Sequence, residues 1–186
     1  MKNALALSAL LLASAAATPA FARDVAGVDV TDTVSAEGKT LKLNGAGVRK
    51  KFIIKVYVGA LYVEQTATAA DAIIKADAVK QVRMTFLRGV DKDKILGAYK
   101  EGFEKNSKDK MAELQAGLDK LGGAIKDMEK GGEMTVTYVP GQGTTIKQPA
   151  GSVTVEGKTF ADALFRNWLG SDPADKGLRD DMLAGK

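Results

Sequence analysis

Arg49 and Tyr57 are the side chains of this 186-residue sequence whose types and spacing point most directly to chemistry. A guanidinium offers paired donors that fit a carboxylate, and a phenol adds one directional hydrogen bond. Residues 48–64 are rich in β-branched and aromatic types, so one long strand or two joined by a bend near Gly59 is expected there. If residues 48–58 run as one unbroken strand, alternation with period two places Arg49, Ile53 and Tyr57 on the same face. Inside an apolar cleft, charge-assisted bonds from such a pair are worth about 1.5–3 kcal/mol each. An acyl tail adds about 0.8 kcal/mol per buried methylene. The alternative is structural: Arg49 pairs with an acidic side chain and Tyr57 is a half-buried strand aromatic. Lys51 and Lys55 share the parity of Arg49. They strengthen anion selectivity if they enter the cleft, and are solvated if the strand is bulged.

Two further stretches carry weaker signals. Arg88-Gly89-Val90-Asp91 stands at a strand-to-helix junction, where Asp91 is expected to cap the helix and Arg88 can reach the mouth of a cleft. Gly141-Gln142-Gly143 lacks the lysine and the following helix of a phosphate loop, and reads as a hairpin turn.

Composition removes whole classes of chemistry. The sequence has no histidine and no cysteine, which excludes Ser-His-Asp and Cys-His catalysis, the usual zinc ligand sets, haem ligation by histidine and disulfide exchange. No metal and no cofactor are expected. Positive charge is spread along the chain without a run of five or more basic residues and with few aromatics beside it, so nucleic-acid binding is not expected either.

The N-terminal residues read as an export signal. Lys2 precedes an apolar Ala/Leu-rich run over residues 4–17, Thr18-Pro19 breaks it, and Ala20-Phe21-Ala22 offers small residues at the cleavage positions. The expectation is a cleaved leader over 1–22, a single domain over 23–186 and a periplasmic location. The apolar run is shorter than the ~20 residues a spanning helix needs, and no later segment qualifies. Cleavage removes one of the 27 Lys+Arg and none of the 23 Asp+Glu, leaving a net charge of +3.

The elements that must position Arg49 and Tyr57 follow an α+β order. Alternating valines over 28–34, a turn at Glu37-Gly38-Lys39-Thr40 and residues 41–43 suggest a hairpin. A short helix is expected over 68–76 and a strand over 81–87 with Val82, Met84 and Phe86 on one face. Ile95, Leu96, Tyr99 and Phe103 then share a helical face. Met111, Leu114, Leu118, Leu121, Ile125 and Met128 continue at helical spacing, favouring an amphipathic helix laid on a sheet over a coiled-coil seam. Met134, Val136 and Tyr138 restore strand alternation, Pro140-Gly141 turns the chain, and short strands cover 144–147 and 152–155. A helix over 159–169 and a last one opened by Pro173 complete the order, with Leu178, Met182 and Leu183 available for docking.

Two stretches carry a family resemblance. Leu43-Asn44-Gly45-Ala46-Gly47-Val48-Arg49 with Val56-Tyr57-Val58-Gly59-Ala60-Leu61-Tyr62-Val63-Glu64 resembles the first motif region of the chalcone isomerase family. Ala163-Leu164-Phe165-Arg166-Asn167-Trp168-Leu169-Gly170 resembles its closing helix. The chain looks most like the bacterial, signal-peptide-bearing members of that family. The resemblance implies an open-faced sandwich: a curved antiparallel sheet with helices packed on one side and a cleft between the layers. It also implies either ring-closing isomerisation or fatty-acid binding, with Arg49 on the family's arginine position. Tyr57 falls where isomerases carry threonine and fatty-acid binders carry tyrosine. Met84 occupies the catalytic lysine position, and no tyrosine stands within 89–94. Asn106 corresponds to the family's asparagine. The connection from Arg49 to Tyr57 is shorter than in the plant proteins. Non-catalytic binding of a fatty acid or similar amphipathic carboxylate by Arg49, Tyr57, Asn106 and Arg88 is therefore the leading expectation. An intramolecular lyase or isomerase, and an envelope interaction module, are the alternatives.

Overall fold

The computed structural model describes residues 22–185, so the expected leader lies outside the described residues apart from Ala22. Seven strands follow one another as an antiparallel meander: β3 (Thr33–Ala36), β4 (Lys39–Lys51), β5 (Ile54–Val63), β6 (Lys80–Phe86), β7 (Glu133–Val139), β8 (Gly143–Gln148) and β9 (Gly151–Val155). A separate hairpin of β1 (Ala22–Val25) and β2 (Val28–Thr31) precedes them. The helices are α1 (Ala70–Lys75), α2 (Lys92–Asn106), α3 (Met111–Ala124), α4 (Lys158–Leu169) and α5 (Lys176–Met182). The α+β open-faced architecture expected from the sequence is the one observed.

Alternation sorts the sheet into two faces. Tyr57, Leu61, Val82, Met84, Phe86, Met134, Val136 and Ile146 point to the helices and form the larger core with them. Leu41, Leu43, Val58, Ala60 and Tyr62 point the other way, under β2 and β3, where the Tyr62 hydroxyl donates to Thr31 O at 3.0 Å. The turn expected after the valine alternation joins β3 to β4 through Glu37 and Gly38, both at positive φ (47° and 73°), the backbone a two-residue hairpin turn requires.

A register shift between Leu43 and Gly45 turns β4 over. Asn44 sits in it fully buried, donating to Ala67 O (2.9 Å) and Met182 O (2.7 Å) and accepting from Ala67 N (2.8 Å). Beyond it Gly45 and Gly47 face α5 at backbone contact. A Cβ on Gly45 would lie 2.0 Å from Asp181 O, and one on Gly47 2.2 Å from Asp181 Oδ2. The glycines of the Gly45-Ala46-Gly47 run thus make a flat seat for α5, which buries Leu178 and Met182.

The helical segments differ from expectation in places that have physical reasons. The stripe ending at Ile125 and Met128 continues past α3, which stops at Ala124 after Gly122-Gly123; both side chains are still buried, but from an extended connection. Gly117, an apparent interruption, is where the Phe160 ring packs, since a Cβ there would lie 2.4 Å from Phe160 Cε2. Asp91 occupies the position before α2, yet its carboxylate takes Lys94 Nζ at 2.5 Å. The Lys92 N–H is satisfied instead by Asp127 Oδ1 at 2.8 Å, so the expected cap is supplied from another segment. Pro173 precedes α5 without opening it; Asp175 caps that helix through Leu178 N at 3.0 Å.

Candidate functional site

Residues 48–58 are not one strand. β4 ends at Lys51, β5 begins at Ile54, and the chain reverses through Phe52, which takes the left-handed φ of 58°. Arg49 and Tyr57 are nonetheless brought together, because they are direct cross-strand partners in the hairpin. Ile53 leaves the shared face altogether and stands at the tip, 94% exposed. Lys51 and Lys55 are both solvent-exposed; Lys51 still borders the cleft, whereas Lys55 does not.

Arg49 and Tyr57 border a cleft of about 770 Å³ between the sheet and α2 and α4, within the range of small-molecule sites. Met84, Phe86, Ile95, Ala98 and Trp168 give it apolar walls. The Arg49 guanidinium carbon lies 5.7 Å from the Tyr57 ring centroid, a cation–π contact, and no carboxylate among the described residues forms an ion pair with it. Tyr57 is 7% exposed and its ring leans on Phe86 at 5.6 Å. Its hydroxyl accepts from Trp168 Nε1 at 2.9 Å, and its own proton has no acceptor among the described residues. Burial pushes the phenol above its ordinary value; the Arg49 charge and the Trp168 bond pull it down, and Asp175 adds to the rise. Tyr99, also buried and bonded to Met134 Sδ at 3.5 Å, is pushed up as well, first by burial.

Arg88 lines the same cleft from an exposed position at its mouth. Asn106 does not line it. Its amide donates to Gly102 O (3.0 Å) and Asp172 O (2.8 Å) and accepts from Asp172 N (3.0 Å), which ties the end of α2 to the loop before α5. The polar amide in the cleft belongs to Asn167. It is 3% exposed, and neither its Nδ2 nor its Oδ1 has a hydrogen-bond partner among the described residues. Gly102 opposite makes room for it, since a Cβ there would lie 1.5 Å from Asn167 Oδ1. The signal for Asn167 was present: an amide on the apolar face of α4, next to the only tryptophan. A buried amide left unpaired costs about 1–3 kcal/mol. Among the described residues no group of acidic side chains is placed to hold a metal ion.

An antiparallel meander under helices, with an arginine-bearing cleft between the layers, defines the architectural class. A sequence profile described as chalcone isomerase-like matches residues 22–184, and the chain belongs to that family. A crystal structure of a fatty-acid binding protein of Arabidopsis thaliana superposes with a TM-score of 0.66 at 16% identity, over 84% of this chain and 92% of that one. No curated protein sequence matches. No helix of the described residues is long and apolar enough to cross a membrane.

Proposed function

We propose that this protein is a non-catalytic binder of a fatty acid or similar amphipathic carboxylate, exported to the periplasm. The observation that carries the reading is the Arg49 guanidinium, set over Tyr57 at the edge of an apolar cleft with no protein carboxylate paired to it among the described residues. A buried carboxylate needs such a counter-charge, and the Tyr57 hydroxyl adds a directional polar group within the same walls. The cleft's size and its apolar side chains suit an acyl chain. The structural neighbour from Arabidopsis, a fatty-acid binding protein, supports the ligand class. Export rests on Lys2, the apolar run after it and Ala20-Phe21-Ala22.

Isomerisation is less well served. Burial makes proton loss from both cleft phenols, Tyr57 and Tyr99, harder, which disfavours either as a general base. Met84, 2% exposed, puts a thioether in the cleft at the position where the resemblance to isomerases implies a lysine. The deciding experiment is native mass spectrometry with lipid extraction on protein purified from periplasm, comparing wild type with Arg49→Ala. A co-purified fatty acid that is lost from the variant is expected. A wild type that arrives empty and ignores added palmitate would remove the binding reading.

A further inference from the structure

The hairpin that carries Arg49 and Tyr57 also carries the exposed large hydrophobics found among the described residues: Phe52 at 91%, Ile53 at 94% and Ile54 at 45%. Three such residues side by side on a two-stranded tip form a contiguous apolar patch, and patches of this kind mark interaction sites. Phe52 holds a positive φ of 58°, a conformation costly for an aromatic residue, and gains no burial for it within the chain.

Charge around the tip is one-sided. Lys50, Lys51 and Lys55 are exposed directly behind the apolar residues, none is ion-paired among the described residues, and the sequence has no acid between Arg49 and Glu64. The acids of neighbouring elements are engaged elsewhere. Asp175 accepts from Lys50 N at 2.7 Å and Leu178 N at 3.0 Å, while Glu101 pairs with Lys105 at 2.8 Å. An apolar tip with a collar of lysines matches the layering of a bilayer interface. Phe52 and Ile53 can reach the acyl boundary while the ammonium groups stay level with the headgroups. A protein partner has no need of that order of layers. The charge selects membranes with anionic headgroups, to which each surface-adjacent lysine adds attraction.

We propose that the hairpin tip at Phe52, Ile53 and Ile54 docks the protein on an anionic lipid bilayer, with Lys50, Lys51 and Lys55 as its electrostatic collar. Phe52 and Ile54 also border the cleft, so docking places the cleft mouth at the bilayer surface, where an amphipathic molecule can enter or leave without crossing water. The docking stands on the hairpin alone and does not depend on what the cleft holds.

The test is flotation with vesicles of phosphatidylcholine and phosphatidylglycerol, against vesicles of phosphatidylcholine alone. It uses protein beginning at Ala22, which retains every described element and lacks the apolar leader that would itself bind lipid. Expected are binding to the anionic vesicles, at least tenfold weaker binding to the neutral ones, and weakening as salt shortens the screening length from about 10 Å at 0.1 M to about 3 Å at 1 M. Phe52→Ser/Ile53→Ser should lose at least tenfold in binding with an unchanged urea midpoint, because both side chains are exposed. The charge variant Lys50→Glu/Lys51→Glu/Lys55→Glu should abolish the preference for anionic vesicles. Absence of wild-type binding, or binding untouched by both variants, overturns the proposal. So does a wild type that ignores vesicles but forms a dimer broken by Phe52→Ser/Ile53→Ser, which would make the tip a contact between copies. Failure here leaves the reading of the cleft to its own test with Arg49→Ala.

Discussion

Trp168 donates its indole N–H to the Tyr57 hydroxyl at 2.9 Å, joining α4 to β5 across the floor of the cleft. Trp168 is held in turn by edge contacts with Tyr99 and Phe165 at 6.0 and 6.2 Å, so the phenol is fixed by a side chain that is itself packed on two rings. Tyr57→Phe should therefore do two things. Leaving a buried indole N–H unpaired lowers unfolding free energy by about 1–3 kcal/mol, and removing the cleft donor weakens palmitate about tenfold. A double-mutant cycle with Trp168→Phe, read by urea unfolding, should return a coupling near 1 kcal/mol. Additive losses would mean that the bond contributes nothing to folding.

Asn167 and stability should part company. Asn167→Leu replaces an unpaired buried amide by an apolar group of similar size, which relieves about 1 kcal/mol and raises Tm by about 2–4 °C in the ligand-free protein. The same substitution changes the shape and polarity of the cleft wall and should weaken carboxylate binding severalfold. Thermal unfolding and palmitate titration of one variant decide it: a rise in Tm with binding unchanged would make Asn167 a bystander.

The glycines sort by what stands opposite them. Gly45→Ala drives a Cβ into the backbone of α5, and losing the burial of Leu178 and Met182 costs about 3–5 kcal/mol. Gly97→Ala, in the middle of α2 with open space beyond it, should stabilise by about 0.5–1 kcal/mol. Urea midpoints of the two variants should move in opposite directions. Equal shifts would show that α5 is not seated on these glycines.

Period-two alternation made the sheet legible, because Met84, Phe86, Val136 and Tyr138 each carry a burial signal along their own strand. The same rule misled at the site. It took Arg49, Ile53 and Tyr57 as one strand face, whereas the turn at Phe52 has none of the glycine or asparagine that usually announces a two-residue hairpin. The pair met anyway, because a register shift between Arg49 and Lys50 moves the residue opposite Arg49 from Val56 to Tyr57. Asn106 and Asn167 could not be told apart by type alone. What separates them is the supply of backbone partners: the loop at Asp172 satisfies the first and nothing among the described residues satisfies the second. Such pairings are long-range and leave no local pattern.

Lys80 gives the pH dependence. Lys80 is 2% exposed, and its ammonium group donates to Ile74 O (3.1 Å) and Ala76 O (2.6 Å) at the end of α1 and lies 4.7 Å from the Tyr138 ring centroid. Burial pulls its pKa down to about 8, helped by the neighbouring Lys158 charge and opposed by Asp162 and Asp77. Between about 8 and the ordinary 10.5 the unfolded chain holds a proton that the folded one has released, so stability rises with pH across that window, by up to about 3 kcal/mol. Tyr57, Tyr62, Tyr99 and Tyr138 act with the opposite sign. Burial raises each above its ordinary 10.0, the folded chain keeps protons the unfolded one loses, and stability falls above pH 10. Urea midpoints should thus climb from pH 8 to a maximum between 9 and 10 and then drop. In Lys80→Met the climb should vanish while the drop above pH 10 remains; a variant that climbs like wild type would move the titration to another group.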